Sequence, residues 1–343
     1  MKLKSIFCYL LIFALVLTGC SGGGNNTSNT ELKEETGNNE VQSDPVKDSV
    51  VFSINAEPST LDPQKGNDLL TFMVHCQIFD TLIRESSDGT LVPGIAEEWK
   101  FSDDGKEIVF KLRNDVKFHN GDQMTADDVV FSFNRAINST FTKRITGSMD
   151  RMEKVDDSNV KLILKYSYGP VLDCIATSNL GIVSQKAVEA DEEGFARNPV
   201  GTGAFKFVEW SNGEKIVFES FDDYYRGEAN IKNLTFKIIS DKTSAAVALE
   251  NGEVDVLLSP AEADRNNLID NENIKYYETE SNSFYFISFN NEEGLFSNKL
   301  LREAISYAID RESLIIGALE GNGAALESAI PTNCFGAPQN FKG

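Results

Sequence analysis

The sequence predicts a mixed α/β protein, on three observations. Short segments alternate apolar and polar residues and meet at turn dipeptides such as Asp104-Gly105 and Asn212-Gly213. Other segments repeat apolar residues at helical spacing: Val129, Phe133 and Ile137 in one, Leu301, Ala304, Ile305 and Ala308 in another. The chain from Val50 onward is long enough for two domains.

In chain order, VVFSI (50–54) reads as a strand, and the NAEPSTLDP that follows carries two prolines that break regular structure. Leu69 to Ile83 has Phe72, Ile78, Phe79 and Leu82 at helical spacing, with Asp68 placed to cap the helix. In FSDDGKEIVFKLR, Ile108, Phe110 and Leu112 alternate with Val109, Lys111 and Arg113, the period of a half-buried strand. VKLILKY (160–166) is a further strand, and GTGAFKFVEWSNGEKIVFES is a hairpin. LTFKIIS is a strand, Thr243 to Glu250 a helix ended by Gly252, and VDVLLS and SFYFISF are strands again. Asn298 to Ile309 and SLIIGALEGNG read as two closing helices.

The segment VKFHNGDQMTADDVVFSF invites a chemical reading, because His119 has Asp115, Asp122, Asp127 and Asp128 near it in sequence. Architecture explains it better. Asn120-Gly121 is a turn pair, and Thr125 with Asp128 three residues on is a helix-capping pattern. Asp127 and Asp128 then fall in the first helical turn, where the helix dipole favours negative charge. His119 is expected at the turn, exposed or bonded locally, with no metal or catalytic role. His75, the second of two histidines, has no ligand pattern around it. Gly201 and Gly203 resemble a phosphate loop only superficially: a strand follows, not a helix, and a close backbone approach fits better.

The N-terminus has its own character. MKLK is basic, and Ile6 to Leu17 is an apolar run of signal-peptide length, too short to span a bilayer. It ends in Leu17-Thr18-Gly19-Cys20, which resembles a lipobox, so residues 1–19 are expected to be a lipoprotein signal peptide and Cys20 the lipidated first residue. Two or more acyl chains there hold a protein stably on a membrane. Residues 20–49, rich in Gly, Asn, Ser, Thr and Glu, read as a flexible tether.

The net charge is −21; removal of Lys2 and Lys4 with the signal leaves −23. A balance this acidic excludes nucleic acid as a partner. Cys76, Cys174 and Cys334 remain, widely spaced and without a CxxC, so three small buried hydrophobes or one disulfide are the readings. No GxSxG and no Cys/His pair is present, which argues against an enzyme, and no protein-built metal site or cofactor is expected.

Several quoted stretches together are similar to one family. EPSTLDP, IFDTLI, GTLVPGIAEEWKFSDDGKEIVFKLRNDVKFHNGDQMTADDVVFSF, NPVGTGAFKFVEW, DDYYRGEANIKNLTFKII, LENGEVDVL and FISFNNEEGLFSNKLLREAISYAIDRESLI resemble the extracellular solute-binding proteins of family 5. The resemblance covers nearly everything after Val50. It implies a type II periplasmic-binding-protein clamshell: two α/β lobes with mixed sheets, closing on a ligand between them. The first lobe would span 50–282 with an inserted subdomain at about 83–183, and the second would begin at 283–343 and be incomplete. It implies a monomeric lipoprotein outside the cell, anchored to the membrane by its lipid. Such a protein captures oligopeptides and hands them to the permease subunits of an ABC importer. The alternatives are the same fold binding a nickel chelate, haem or a sugar, or a non-functional fragment. Matching segments place ligand contacts at Asn67, Asp68 and Leu69, and at Ser283, Tyr285, Phe286 and Asn290 on a strand crossing into the second lobe. Of Tyr285 and Phe286, one is expected in the sheet core, since neighbours on a strand face opposite ways.

Overall fold

The computed structural model describes residues 47–279, 281–326, 328–331, 334 and 337. The expected signal peptide, Cys20 and the expected tether as far as residue 46 lie outside the described residues.

Strand β1 (Ser49–Ile54) leads to helix α1 (Leu69–Ile78). A short ribbon, β2 (Ile83–Glu85) with β3 (Leu91–Pro93), precedes β4 (Ala96–Phe101), β5 (Glu107–Leu112) and helix α2 (Ala126–Asn138). Next come α3 (Lys143–Thr146), β6 (Met149–Lys154), β7 (Asn159–Leu164), α4 (Val171–Ile175) and α5 (Gln185–Ala190). The hairpin β8 (Phe205–Ser211) and β9 (Lys215–Ser220) is followed by β10 (Asn233–Ile238), α6 (Lys242–Glu250), β11 (Val256–Leu257) and α7 (Arg265–Asp270). Helices α8 (Lys299–Ala308) and α9 (Arg311–Leu319) close the described chain.

Two sheets carry the fold. In one, the order is β11-β1-β10-β9-β8, with β1 parallel to β10 and β11 and the rest antiparallel. In the other, β4-β5-β7-β6 is antiparallel throughout. Each sheet has its own apolar core. Ile54, Leu61, Val74, Ile78, Phe218 and Phe236 belong to the first. Ile108, Phe110, Phe118, Val129, Phe133 and Leu162 belong to the second. Each such side chain contributes about 1.5–3 kcal/mol on burial.

Local chemistry explains the elements. In β5, Ile108, Phe110 and Leu112 are buried while Val109 and Lys111 are exposed, as the alternation requires. Helix α2 begins with a complete capping box: Thr125 Oγ1 accepts from the Asp128 N–H, and Asp128 Oδ2 accepts from the Thr125 N–H. Its buried face, with Val129, Ser132, Phe133 and Ala136, packs on β6 and β7. Asn134 on α2 exchanges two hydrogen bonds with the backbone of Met152, pinning the edge strand β6.

Several expectations need correcting. The first helix stops at Ile78 rather than Ile83, because a neighbouring loop takes over its last carbonyl: the Gly203 N–H donates to Ile78 O at 2.8 Å. VDVLLS shortens to two paired residues, since β1 offers β11 only Phe52 and Ser53 as partners. SFYFISF is not a strand, because no sheet edge among the described residues lies alongside it. Consequently Tyr285 (93%) and Phe286 (73%) are both exposed and neither is core. Cys76 is exposed rather than buried, and neither it nor Cys174 forms a disulfide.

Candidate functional site

The stretch Glu57 to Asp68 joins β1 to α1 across the top of the first core. Its polar side chains make the loop, and each tie is a hydrogen bond that its residue type dictates. At its start, Glu57 Oε1 accepts from Trp210 Nε1 at 2.9 Å and from the Gly213 N–H at 2.8 Å, so the β8–β9 hairpin tip is held to it. The bond from Gly213 is the main reason the Glu57 carboxyl sits below its usual range, with Trp210 adding to it. The Arg197 guanidinium stacks on the Trp210 ring, 3.6 Å from its centroid.

At the other end Asp68 caps α1. Its Oδ1 accepts from the Thr71 N–H at 2.9 Å, while Oδ2 accepts from Ser59 Oγ at 2.8 Å and Thr71 Oγ1 at 2.7 Å. Partial burial works against the charge here, but the bonds from Thr71 and Ser59 outweigh it and hold the carboxyl below its usual range.

Between these ends the loop is fastened from beneath. Asp62, with no exposed side-chain surface, receives both guanidinium nitrogens of Arg135, Nη1 to Oδ1 at 2.7 Å and Nη2 to Oδ2 at 2.6 Å. Asn179 Nδ2 donates to Pro63 O at 2.8 Å and Gly66 O at 2.9 Å. His75, fully buried on α1, has Nε2 3.1 Å from Thr60 O. A carbonyl can only accept, so Nε2 carries the proton, and Nδ1 is left buried without a partner.

The second histidine is also spoken for. His119 is not bonded locally, as its turn position suggested. It reaches 84 residues along the chain, where Nε2 donates to Gly203 O at 3.0 Å. Its Nδ1 lies 3.4 Å from the Gly201 N–H, and its own N–H donates to Gly201 O at 2.9 Å. The Gly201–Gly203 loop thus lies between His119 and the end of α1. A Cβ at Gly201 would stand 2.1 Å from Ile78 O, and one at Gly203 would stand 2.6 Å from Gln77 O. Those glycines serve backbone approach.

Burial is the leading cause that drives both imidazoles from 6.5 down to about 4. Unfolded, each histidine takes up a proton near pH 6.5; folded, each resists until near pH 4. The stability they lend is therefore full above pH 6.5 and is lost as pH falls toward 4. Between pH 7 and pH 5 the expected loss is about 2 kcal/mol for each. Asp80, whose carboxyl burial pushes upward, acts in the opposite sense. Urea unfolding at pH 7 and pH 5 checks this by difference: His119→Gln should flatten the pH slope by about 2 kcal/mol. An unchanged slope would show that the ring titrates normally.

The residues predicted from the family resemblance fall into two groups. Asn67, Asp68 and Leu69 sit together where the fastened loop enters α1; Asn67 and Leu69 (82%) are exposed, and Asp68 is a partly buried cap. Ser283, Tyr285, Phe286 and Asn290 form a separate exposed run, with Phe284 and Phe286 ring centroids 5.6 Å apart. Among the described residues, no hydrogen bond or ring contact links the two groups. Sequence reasoning missed Asp62, Arg135 and Asn179, whose pairings cross long stretches of chain and leave no local pattern. Among the described residues no three His, Cys, Asp or Glu side chains gather as metal ligands, and no helix is long and apolar enough to cross a membrane.

Comparison with known proteins places this arrangement. The oligopeptide-binding protein AppA of Bacillus subtilis is 30% identical over 324 residues, 92% of this chain. Heme-binding protein A of Haemophilus influenzae is 27% identical over 361 aligned residues, 96% of this chain. The structure of the periplasmic binding protein DppA from Helicobacter pylori in complex with the peptide STSA superposes with a TM-score of 0.76 at 25% identity, over 86% of this chain. This chain spans 58% and 64% of the two curated relatives and 62% of that structure, about three fifths of their length. The mixed α/β architecture is therefore that of type II periplasmic binding proteins, which act in transport. The model described as bacterial extracellular solute-binding proteins, family 5 Middle, matches residues 90–343, and the chain belongs to that family.

Proposed function

We propose that this chain is the solute-binding component of an ABC importer that captures oligopeptides outside the cell and delivers them to the permease. One observation carries the ligand class: the chain resembles a peptide-bound DppA over 86% of its length and an oligopeptide-binding relative over 92%. Asn67 and Leu69, exposed above a loop fastened from below, support a contact there. Ser283, Tyr285, Phe286 and Asn290, with their exposed aromatic surface, form the facing contact once the lobes close. Peptide backbones are held in an extended, strand-like manner by such folds, with loose side-chain pockets. The protein catalyses no reaction, needs no cofactor and acts as a monomer.

The domain division belongs to the same reading: a first lobe at 50–282, an inserted subdomain at about 83–183 built on the second core, and a second lobe beginning at 283. So does the anchor. Cys20→Ala is expected to leave an unprocessed precursor or to release the protein from the membrane fraction. Correct processing with full membrane retention in that variant would remove the lipid anchor from the proposal.

Thermal unfolding with a pool of di- to pentapeptides tests the ligand. A peptide at about a hundred times its Kd should raise Tm by about 5 °C. Haem is the second reading, favoured by the haem-binding relative that aligns over 96% of this chain. A shift with haem or nickel-histidine, and none with peptides, would replace the peptide reading.

A further inference from the structure

The buried pair Asp62–Arg135 ties helix α2 to the loop that presents Asn67 and Leu69. The Asp62 side chain has no exposed surface, and the Arg135 side chain is 13% exposed. The contact is bidentate, the strongest geometry available to this pair. Arg135 Nη1 also donates to Gln64 Oε1, and Ser139, just past the end of α2, donates to Gln64 O at 2.6 Å. Asp62 Oδ1 in turn accepts from the Gln64 N–H at 3.1 Å. Helix α2 thus grips residues 62–64 through one arginine and one serine. The groups that grip Gly66 and Pro63, through Asn179, come from a different part of the chain.

Stability alone is a poor reason for such a pair. Taking two charges out of water costs about as much as their attraction returns, and apolar residues of similar volume often serve as well. What a bidentate pair supplies beyond apolar packing is one defined geometry. The geometry points to Asp62–Arg135 as a positioning pair that fixes the loop from Thr60 to Leu69, and through it Asn67 and Leu69, for the ligand. This rests on the binding role proposed above. Arg135 is a positioning residue: its hydrogen bonds reach Asp62 and Gln64, and it acts on Asn67 only through that loop, which Asn179 and the Asp68 cap also hold.

Two variants test it. Arg135→Lys keeps the charge beside Asp62 but cannot form the fork. Asp62→Leu with Arg135→Met removes both charges at once and leaves neither unpaired. Arg135→Lys should melt within about 3 °C of the parent, because no buried charge is left uncompensated; the double variant also removes the partners of the buried Gln64 N–H and Oε1 and should melt lower. In both, amide exchange at residues 60–69 should quicken by about tenfold, and affinity for a tetrapeptide pool should fall by about tenfold. Strands β5, β7, β9 and β10 should exchange as before. Should the double variant fail to fold, Arg135→Lys decides alone. Parental exchange across 60–69 would overturn the proposal, as would parental affinity alongside quickened exchange. If the parent binds no peptide, the proposed function fails, while the exchange data still decide whether the pair orders the loop.

Discussion

Gly201→Ala is expected to destabilise the protein by about 3–5 kcal/mol, a large share of the roughly 5–15 kcal/mol that holds a typical domain folded. The added Cβ would lie 2.1 Å from Ile78 O and 2.7 Å from Phe79 Cδ1. The oxygen is backbone at the end of α1 and cannot swing aside as a flexible side chain would. The loop must withdraw, and its bonds go with it: Gly203 N–H to Ile78 O, the Asp80 N–H to Thr202 Oγ1 at 3.2 Å, and the His119 clasp. Because His119 belongs to the second core's connections and α1 to the first, the contact between the two cores loosens as well. Gly169→Ala is the control, since a Cβ there meets nothing within 4 Å and the backbone is not left-handed. It should change stability by less than about 0.5 kcal/mol. Urea unfolding of both variants measures the difference. Equal midpoints would mean that the loop does not bear on α1 as described.

A contrast in hydrogen exchange is the second large effect. Amides from Ser283 to Leu319 should exchange at least a hundredfold faster than those of β5, β7, β9 and β10, on the order of 3 kcal/mol in local opening. Helices α8 and α9 have no buried residue, although α8 carries Leu301 and Ile305 along one apolar face. Caps are present: Asn298 Oδ1 accepts from the Leu300 N–H at 3.0 Å, and Asp310 Oδ1 from the Ser313 N–H at 3.1 Å. A cap contributes about 1 kcal/mol, too little to hold a ten-residue helix without tertiary packing. Mass-spectrometric exchange on the isolated chain checks this. Protection across α8 equal to that of β9 would show that its apolar face is covered in solution. A second copy or an added polypeptide is then to be sought by measuring mass in solution.

The same division between local and distant interactions marks what could be read from the sequence. Thr125 and Asp128 form a capping box, Asp68 caps α1, and Gly105 and Gly121 turn with positive φ, because each of these involves neighbours a few residues apart. The alternation in β5 was legible for the same reason: one face of a strand is buried whatever it packs against. The sequence therefore determined the α/β class, most element positions and, through its resemblance to family 5 proteins, the family. The candidate ligand residues were legible only through that resemblance; nothing in Asn67 or Tyr285 alone points to a site. Tertiary structure decided the rest. Asp62 meets Arg135 from 73 positions away, and His119 meets Gly203 from 84. Whether a histidine is a ligand, a surface group or a buried clasp depends on which backbone arrives beside it. SFYFISF makes the converse point. Its composition favours a strand, but a strand exists only where another edge satisfies its N–H and C=O groups, and no local pattern records whether that edge is there.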